Sequence, residues 1–401
     1  MNAKNLKTRP PAVPGFLFSS VRCGIKSRLL DLALIFAESP AVASAVFTTN
    51  RVKAAPVILG AERMRRGKCQ ALLINSGHAN AMTGKAGARA AVETTSALSR
   101  ALKIDASLAV PSSTGLIGGK FPAEKIKKAI PSLVSRMSPG GAEEVARAIM
   151  TTDAFPKISS RKVKIGGQNG TVLAVGKGAG MVSPDMATML CFILTDIKIS
   201  KSLADKTVRA AADGSFNRII VDGDMSTNDS VFLLSGGALG NKTFSASSPD
   251  GARFSKAVAD VCGDIAEMIV RDGEGATKAV RIEVEGAKNA ADADKAARAA
   301  GGSALVKTAF FGEDPNFGRV AAAVGRSGAT FNPDGMDIFI EGLKVMSRGM
   351  EIAGVEKKAA KIMKKSGYTI KIRLSEGKGK AFVLASDLSL EYVRINSEYR
   401  S

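Results

Sequence analysis

The sequence predicts a mixed α/β fold in which sheets pack against helices. Three observations carry that expectation. Strand-like and helix-like segments alternate along the whole chain. Apolar residues are 45% of 401, enough for a sizeable core without disulfides or metals and too many for a disordered or collagen-like chain. No internal period, low-complexity tract or long linker breaks the alternation. The length suggests two or three domains, with poorly marked boundaries.

Each element has a local reason. Residues 41–50 and 70–77 are apolar runs that enter polar turns, as strands do. Residues 84–103 are Ala-rich at helical spacing. Residues 107–115 read as a strand followed by a loop, and Pro122 opens a helix to Ile130. Residues 161–178 form a hairpin around Gly166-Gly167-Gln168-Asn169-Gly170. Met189–Leu194 is a continuous apolar run that suits a buried strand. Helices are expected at Lys201–Ala212, Pro249–Arg271 and Ala290–Ala300. Strands are expected at Arg218–Val221, Ser230–Leu234, Lys278–Glu285, Asp337–Glu341, Thr369–Leu374 and Lys380–Ser386.

Composition excludes several functions. A single histidine rules out multi-histidine metal sites and any two-imidazole mechanism. With no tryptophan and only 5% aromatics, a base-stacking platform is not expected. The net charge of +20 invites a nucleic-acid reading, but the basic residues are scattered and no binding motif accompanies them. The expectation is no nucleic acid and no membrane, since no apolar stretch reaches about 18 residues. Four separated cysteines and the lack of an apolar leader region suggest buried thiols in a cytoplasmic, reducing setting.

Three ligand-loop patterns fail on inspection. GLIGGKF (115–121) is one residue short of a phosphate loop and lacks Ser/Thr after its lysine. GKGAGMV (176–182) lacks the third glycine of a dinucleotide fingerprint. DGDMSTNDSVFL (222–233) has Thr227 and Leu233 where a calcium loop needs glycine and glutamate. His78 has no acidic partner in its motif and reads as a loop histidine satisfied by its neighbours. The Asn228 sequon carries no weight without secretion.

KGAGMVSPDMATML (177–190) is the segment with chemistry in it. A glycine-rich loop runs directly into an apolar strand, and Ala187-Thr188 stands at the junction. A threonine hydroxyl needs an adjacent base to act as a nucleophile. The α-amine of an N-terminal threonine is such a base, with an ordinary pKa near 8. Thr188 has that amine only if the bond from Ala187 is cut.

With this segment the chain closely resembles the ornithine acetyltransferase family, the bifunctional glutamate N-acetyltransferases of arginine biosynthesis. The other matching blocks are VFTTNRVKAAPV (46–57), INSGHANAMTG (74–84), PSSTGLIG (111–118), IMTTDAFPK (149–157), SFNRIIVDGDMSTNDSV (215–231), DGEGATK (272–278), DPNFGRVAAAVGR (314–326) and YVRINSEYRS (392–401). The resemblance implies an N-terminal-nucleophile-like, self-cleaving acetyltransferase. It would have an α chain of 1–187 carrying the oxyanion loop and a β chain of 188–401 beginning with the nucleophile. The two would stay together, assembling as α2β2. It also implies acetyl transfer from N-acetyl-ornithine to glutamate by a ping-pong route through acetyl-Thr188. No cofactor is implied. Acetyl-CoA is a co-substrate in bifunctional members only, and the motifs leave that choice open. An amidohydrolase or aminopeptidase on the same scaffold is the alternative.

Residue by residue, the resemblance assigns the nucleophile to Thr188 and the oxyanion donors to the Thr114 hydroxyl and the Gly115 N–H. Substrate binding falls to Thr151 with its neighbour Thr152, Lys177, Thr188, Glu274, Asn396 and Ser401. Four departures stand out: His78 and Asp185 replace asparagines, Phe317 replaces tryptophan, and Ala385-Ser386-Asp387 replaces Gly-Cys-Asp. Asp185 adds a negative charge three residues before the nucleophile and is expected to alter the cleavage rate.

Overall fold

A computed structural model describes residues 10–183 and 189–398. Within them two sheets are each covered by helices. The strands of the first sheet are β1 (Phe16–Val21), β2 (Leu32–Phe47), β3 (Lys68–His78), β4 (Ala109–Leu116), β5 (Lys157–Ile165), β6 (Gln168–Lys177), β7 (Leu190–Thr195) and β9 (Ser230–Ser235); the two-residue β8 (Ile219–Ile220) lies elsewhere. Their order is β4-β3-β2-β9-β7-β6-β5, with β1 paired to β2. The second sheet has the order β13-β12-β11-β14-β10-β15-β8. Its other strands are β10 (Ala279–Ala287), β11 (Asp337–Ile340), β12 (Leu343–Ser347), β13 (Met350–Glu351), β14 (Gly367–Arg373) and β15 (Gly379–Ser386).

The helices are α1 (Ala55–Met64), α2 (Gly84–Leu102), α3 (Ala123–Ser135), α4 (Ala142–Ile149), α5 (Lys201–Gly214), α6 (Pro249–Arg271), α7 (Ala290–Gly301), α8 (Ala304–Phe311), α9 (Phe317–Gly325), α10 (Glu356–Met363) and α11 (Leu390–Glu398). Among the described residues none is long and apolar enough to cross a membrane.

Strand β7 shows why the centre of the first sheet is apolar throughout. Cys191 and Ile193 face a core shared with α5 and α6, through Val208, Val261 and Ile265. Leu190, Phe192 and Leu194 face the opposite core, which includes Val145 and Ile149 of α4. With helices on both faces, every position of the strand is buried and alternation disappears. The second sheet packs α7, α8 and α9 against Ile282, Ile338 and Ile370. Cys69, Cys191 and Cys262 are buried as expected, Cys23 is only half-buried, and none is in a disulfide.

Most expected elements are present, and α6 has its expected bounds. Two expectations change. The loop after Val110 is instead strand: β4 runs to Leu116, its Ser112–Gly115 paired in parallel with Ile74–Gly77. Pro111 is tolerated because β4 is the edge strand. His78 ends β3 rather than lying in a loop.

Candidate active site

The ends of several elements meet around one cleft. Its lining includes Thr114 and Gly115 of β4, Thr151 and Thr152 after α4, Lys177 of β6, Glu274 after α6, and Asn396 of α11. Seven residues singled out from the sequence therefore share one cavity. Thr188, Ala187, Ser401 and Asp185 lie outside the described residues. Ser226, Thr227 and Asn228, which lead into β9, complete part of the wall.

Lys177 is the hub. It is buried, and its Nζ donates to Thr151 Oγ1 at 2.8 Å and to Thr114 Oγ1 at 3.4 Å. Asp153 Oδ2 stands 3.7 Å from the same ammonium. Asp153 also accepts the N–H of Thr151 at 3.0 Å and that of Gly178 at 2.7 Å. Burial alone would raise its carboxyl, but Lys177 and Lys157 beside it hold it well below the usual carboxylate range.

Gly115 adopts φ +124°, and a Cβ there would meet the Gly77 carbonyl carbon at 2.4 Å and the His78 nitrogen at 2.6 Å. Only glycine fits so close to the neighbouring strand. The same pairing fixes Thr114 next to His78. His78 is engaged locally through its Nδ1, which accepts the Asn80 N–H at 3.0 Å. Its buried Nε2 has no hydrogen-bond partner among the described residues, so its neighbours satisfy only one of the two ring nitrogens. Asn228 ties the wall together, donating Nδ2 to Ala79 O at 2.7 Å and to Ser113 O at 2.8 Å. It is a buried cross-link rather than a glycosylation site.

Glu274 is seated over Gly180 by its own N–H, which donates to Ala179 O at 2.9 Å. Asn396 Nδ2 donates to Glu274 Oε2 at 2.8 Å, so the C-terminal helix does reach the cleft. Just past the undescribed stretch, the Met189 N–H donates to Asp229 Oδ1 at 2.9 Å. Asp229 is buried, and burial pushes its carboxyl well above the ordinary range.

Sequence reasoning missed Asp153, Lys157, Asp272 and the Ser226–Asn228 wall. All lie inside or at the edge of the motif blocks, but they read there as loop polar residues. The arrangement offers hydroxyl and glycine N–H groups, a buried cation and an acidic side chain around a small polar cleft. That set suits acyl transfer between small amino-acid-like molecules.

Comparison with known proteins agrees. The ArgJ family model matches residues 17–401, and the chain belongs to the ArgJ family. The arginine biosynthesis bifunctional protein ArgJ of Geobacter sulfurreducens is 45% identical over 391 residues, covering 97% of this chain and 100% of that one. The protein of the same name from Syntrophotalea carbinolica is 44% identical, covering 97% and 99%. The crystal structure of arginine biosynthesis bifunctional protein ArgJ from Bacillus halodurans matches with a TM-score of 0.51 and 39% identity. That match covers 53% of this chain and 100% of the solved chain.

Proposed function

We propose that this protein is a glutamate N-acetyltransferase of arginine biosynthesis. It transfers the acetyl group of N2-acetyl-L-ornithine to L-glutamate, giving L-ornithine and N-acetyl-L-glutamate. The observation that carries the reading is the convergence of Thr114, Gly115, Thr151, Lys177, Glu274 and Asn396 on one cleft, in a chain of the ArgJ family.

The chemistry starts with a cut. Thr188 Oγ attacks the Ala187 carbonyl, the Thr188 nitrogen leaves with a proton, and water hydrolyses the resulting ester. The α piece is then 1–187 and the β piece 188–401, and both remain in the fold. The solved Bacillus halodurans chain supports this reading, because it is wholly matched yet spans only 53% of this chain. Residues 188–401 are likewise just over half of the sequence.

In turnover the freed amine of Thr188 takes the proton of its own hydroxyl. Oγ attacks the acetyl carbonyl of acetylornithine, and the oxyanion is met by the Thr114 hydroxyl and the Gly115 N–H. Collapse expels ornithine and leaves acetyl-Thr188. The α-amine of glutamate then attacks the ester, and the hydroxyl is regenerated. Lys177, helped by Thr151, receives the α-carboxylate that both substrates carry. Glu274 faces the ornithine ammonium, Asn396 borders the site from α11, and Ser401 is a further substrate-binding residue. No cofactor enters, and acetyl-CoA serves as a second donor if the protein is bifunctional. The assembly is α2β2 in the cytoplasm.

The test is a steady-state assay with acetylornithine and glutamate varied together. Parallel double-reciprocal lines and an acetyl group trapped on Thr188 are expected. Release of acetate with no acetylglutamate would move the protein to the hydrolase alternative.

A further inference from the structure

Beside the cleft lies a buried set of charges that the reaction above does not use. Lys157, at the start of β5, is wholly enclosed. Its Nζ lies 2.8 Å from Asp153 Oδ1 and 2.5 Å from Asp272 Oδ2, and donates to Phe155 O at 3.3 Å. Lys157, Asp153 and Asp272 are absent from the lining of the cleft. Asp272 follows α6 and accepts the Ala154 N–H with both oxygens, at 3.0 and 3.2 Å. It therefore pins the turn from which Asp153 and Lys157 project.

Lys177 has two conflicting requirements. A buried ammonium needs a counter-charge to remain ionised. An ammonium fully paired with a fixed carboxylate has little attraction left for a substrate carboxylate. Asp153 resolves the conflict by standing between two lysines. Its close contact is with Lys157, and its contact with Lys177 is the longer one at 3.7 Å. Both lysines hold the Asp153 carboxyl well below the usual carboxylate range despite its burial, so it serves as a counter-charge to each. A further cation, Lys26, sits nearby with its Nζ donating to Met150 O at 3.0 Å.

We infer that Lys157 is a positioning residue for substrate binding: by holding Asp153, it leaves Lys177 only half-paired and available to the α-carboxylate of both substrates. The inference rests on the reading of Lys177 as the carboxylate-binding cation. It assigns a role in affinity to a residue that touches no substrate.

The test uses the charge-balanced double variant Lys157→Met/Asp272→Asn, which removes one charge of each sign and leaves Asp153 to pair with Lys177 alone. Two donors are compared: acetylornithine, and N-acetylputrescine, which is the same molecule without its α-carboxylate. The expected result is a KM for acetylornithine and for glutamate raised about tenfold, the loss of one moderate charged contact. Turnover of N-acetylputrescine stays near the wild-type value, so the preference for acetylornithine shrinks by the same factor. An unchanged preference, or an equal loss on both donors, overturns the inference while the wild-type protein still transfers acetyl groups. No transfer by the wild-type protein overturns the functional reading and the inference together. Lys157→Gln, which keeps a donor toward both carboxylates, repeats the comparison if the double variant does not fold.

Discussion

Lys177 and Leu190 are register partners across β6 and β7. The chain between them therefore leaves the sheet and returns to it at one place, beside the cleft. On either side the two strands stay paired from Val172–Thr195 to Lys177–Leu190. A cut anywhere in the chain between those two partners leaves that ladder intact. The pieces are thus expected to co-elute as one species on native size-exclusion chromatography and to separate only in denaturant. Spontaneous separation in native buffer would contradict this.

Thr114, proposed as an oxyanion donor, has its hydroxyl 3.4 Å from Lys177 Nζ. Thr114→Ala removes one donor and is expected to lower kcat by about 10²–10³-fold, with a much smaller change in KM. Stopped single-turnover assays check this. A large change in KM alone would assign Thr114 to substrate binding instead.

Gly180 keeps Glu274 in the cleft. A Cβ at Gly180 would lie 2.4 Å from the Glu274 carboxyl carbon and 2.5 Å from each of its oxygens. The group displaced is the end of a flexible side chain, so Gly180→Ala should leave the melting temperature almost unchanged. It should raise KM for acetylornithine by about tenfold, the scale of one charged contact. KM for glutamate should move less, because glutamate has no ammonium at that end. Equal effects on both substrates would remove Glu274 from ornithine recognition.

Asp222 sets a pH dependence of stability. Its carboxyl accepts the N–H of Met181 at 2.5 Å and of Val182 at 2.8 Å, and it holds the loop that leads toward the junction. Burial pushes its pKa from 3.8 to about 6, despite the pull of the Asp224, Met181 and Val182 N–H groups. Between those values the folded chain keeps a proton that the unfolded chain has released. The contribution of Asp222 to stability is therefore present below about pH 4, falls as the pH rises, and is flat above about pH 6, for a total of about 3 kcal/mol. Denaturation of wild type and Asp222→Asn should show their stability difference shrinking, and then reversing or levelling, across that window. A difference independent of pH would sink the assignment.

The fold and the site were legible to different depths. Pattern alone locates the strands and helices that are long or wholly buried, such as β7 and α6. The short α1, α4 and α8–α11 escape it, because eight to ten residues give few helical turns to read. Pro111 masks the continuation of β4, since proline usually ends a strand and only the edge position excuses it. The seven cleft residues were visible as motif positions, not through spacing. The ion set around Lys157 was invisible for a physical reason. Asp272 lies far along the chain from Lys157, and only the packing of α6 against β5 brings them into contact.

The proposed chemistry requires the working protein to be cut before Thr188. Intact-mass spectrometry and N-terminal sequencing of purified wild-type protein, beside Thr188→Ala, test it most directly. Two wild-type fragments are expected, one beginning at Thr188, and a single uncut, inactive chain for the variant. A wild-type chain that remains whole while transferring acetyl groups at full rate would contradict that requirement.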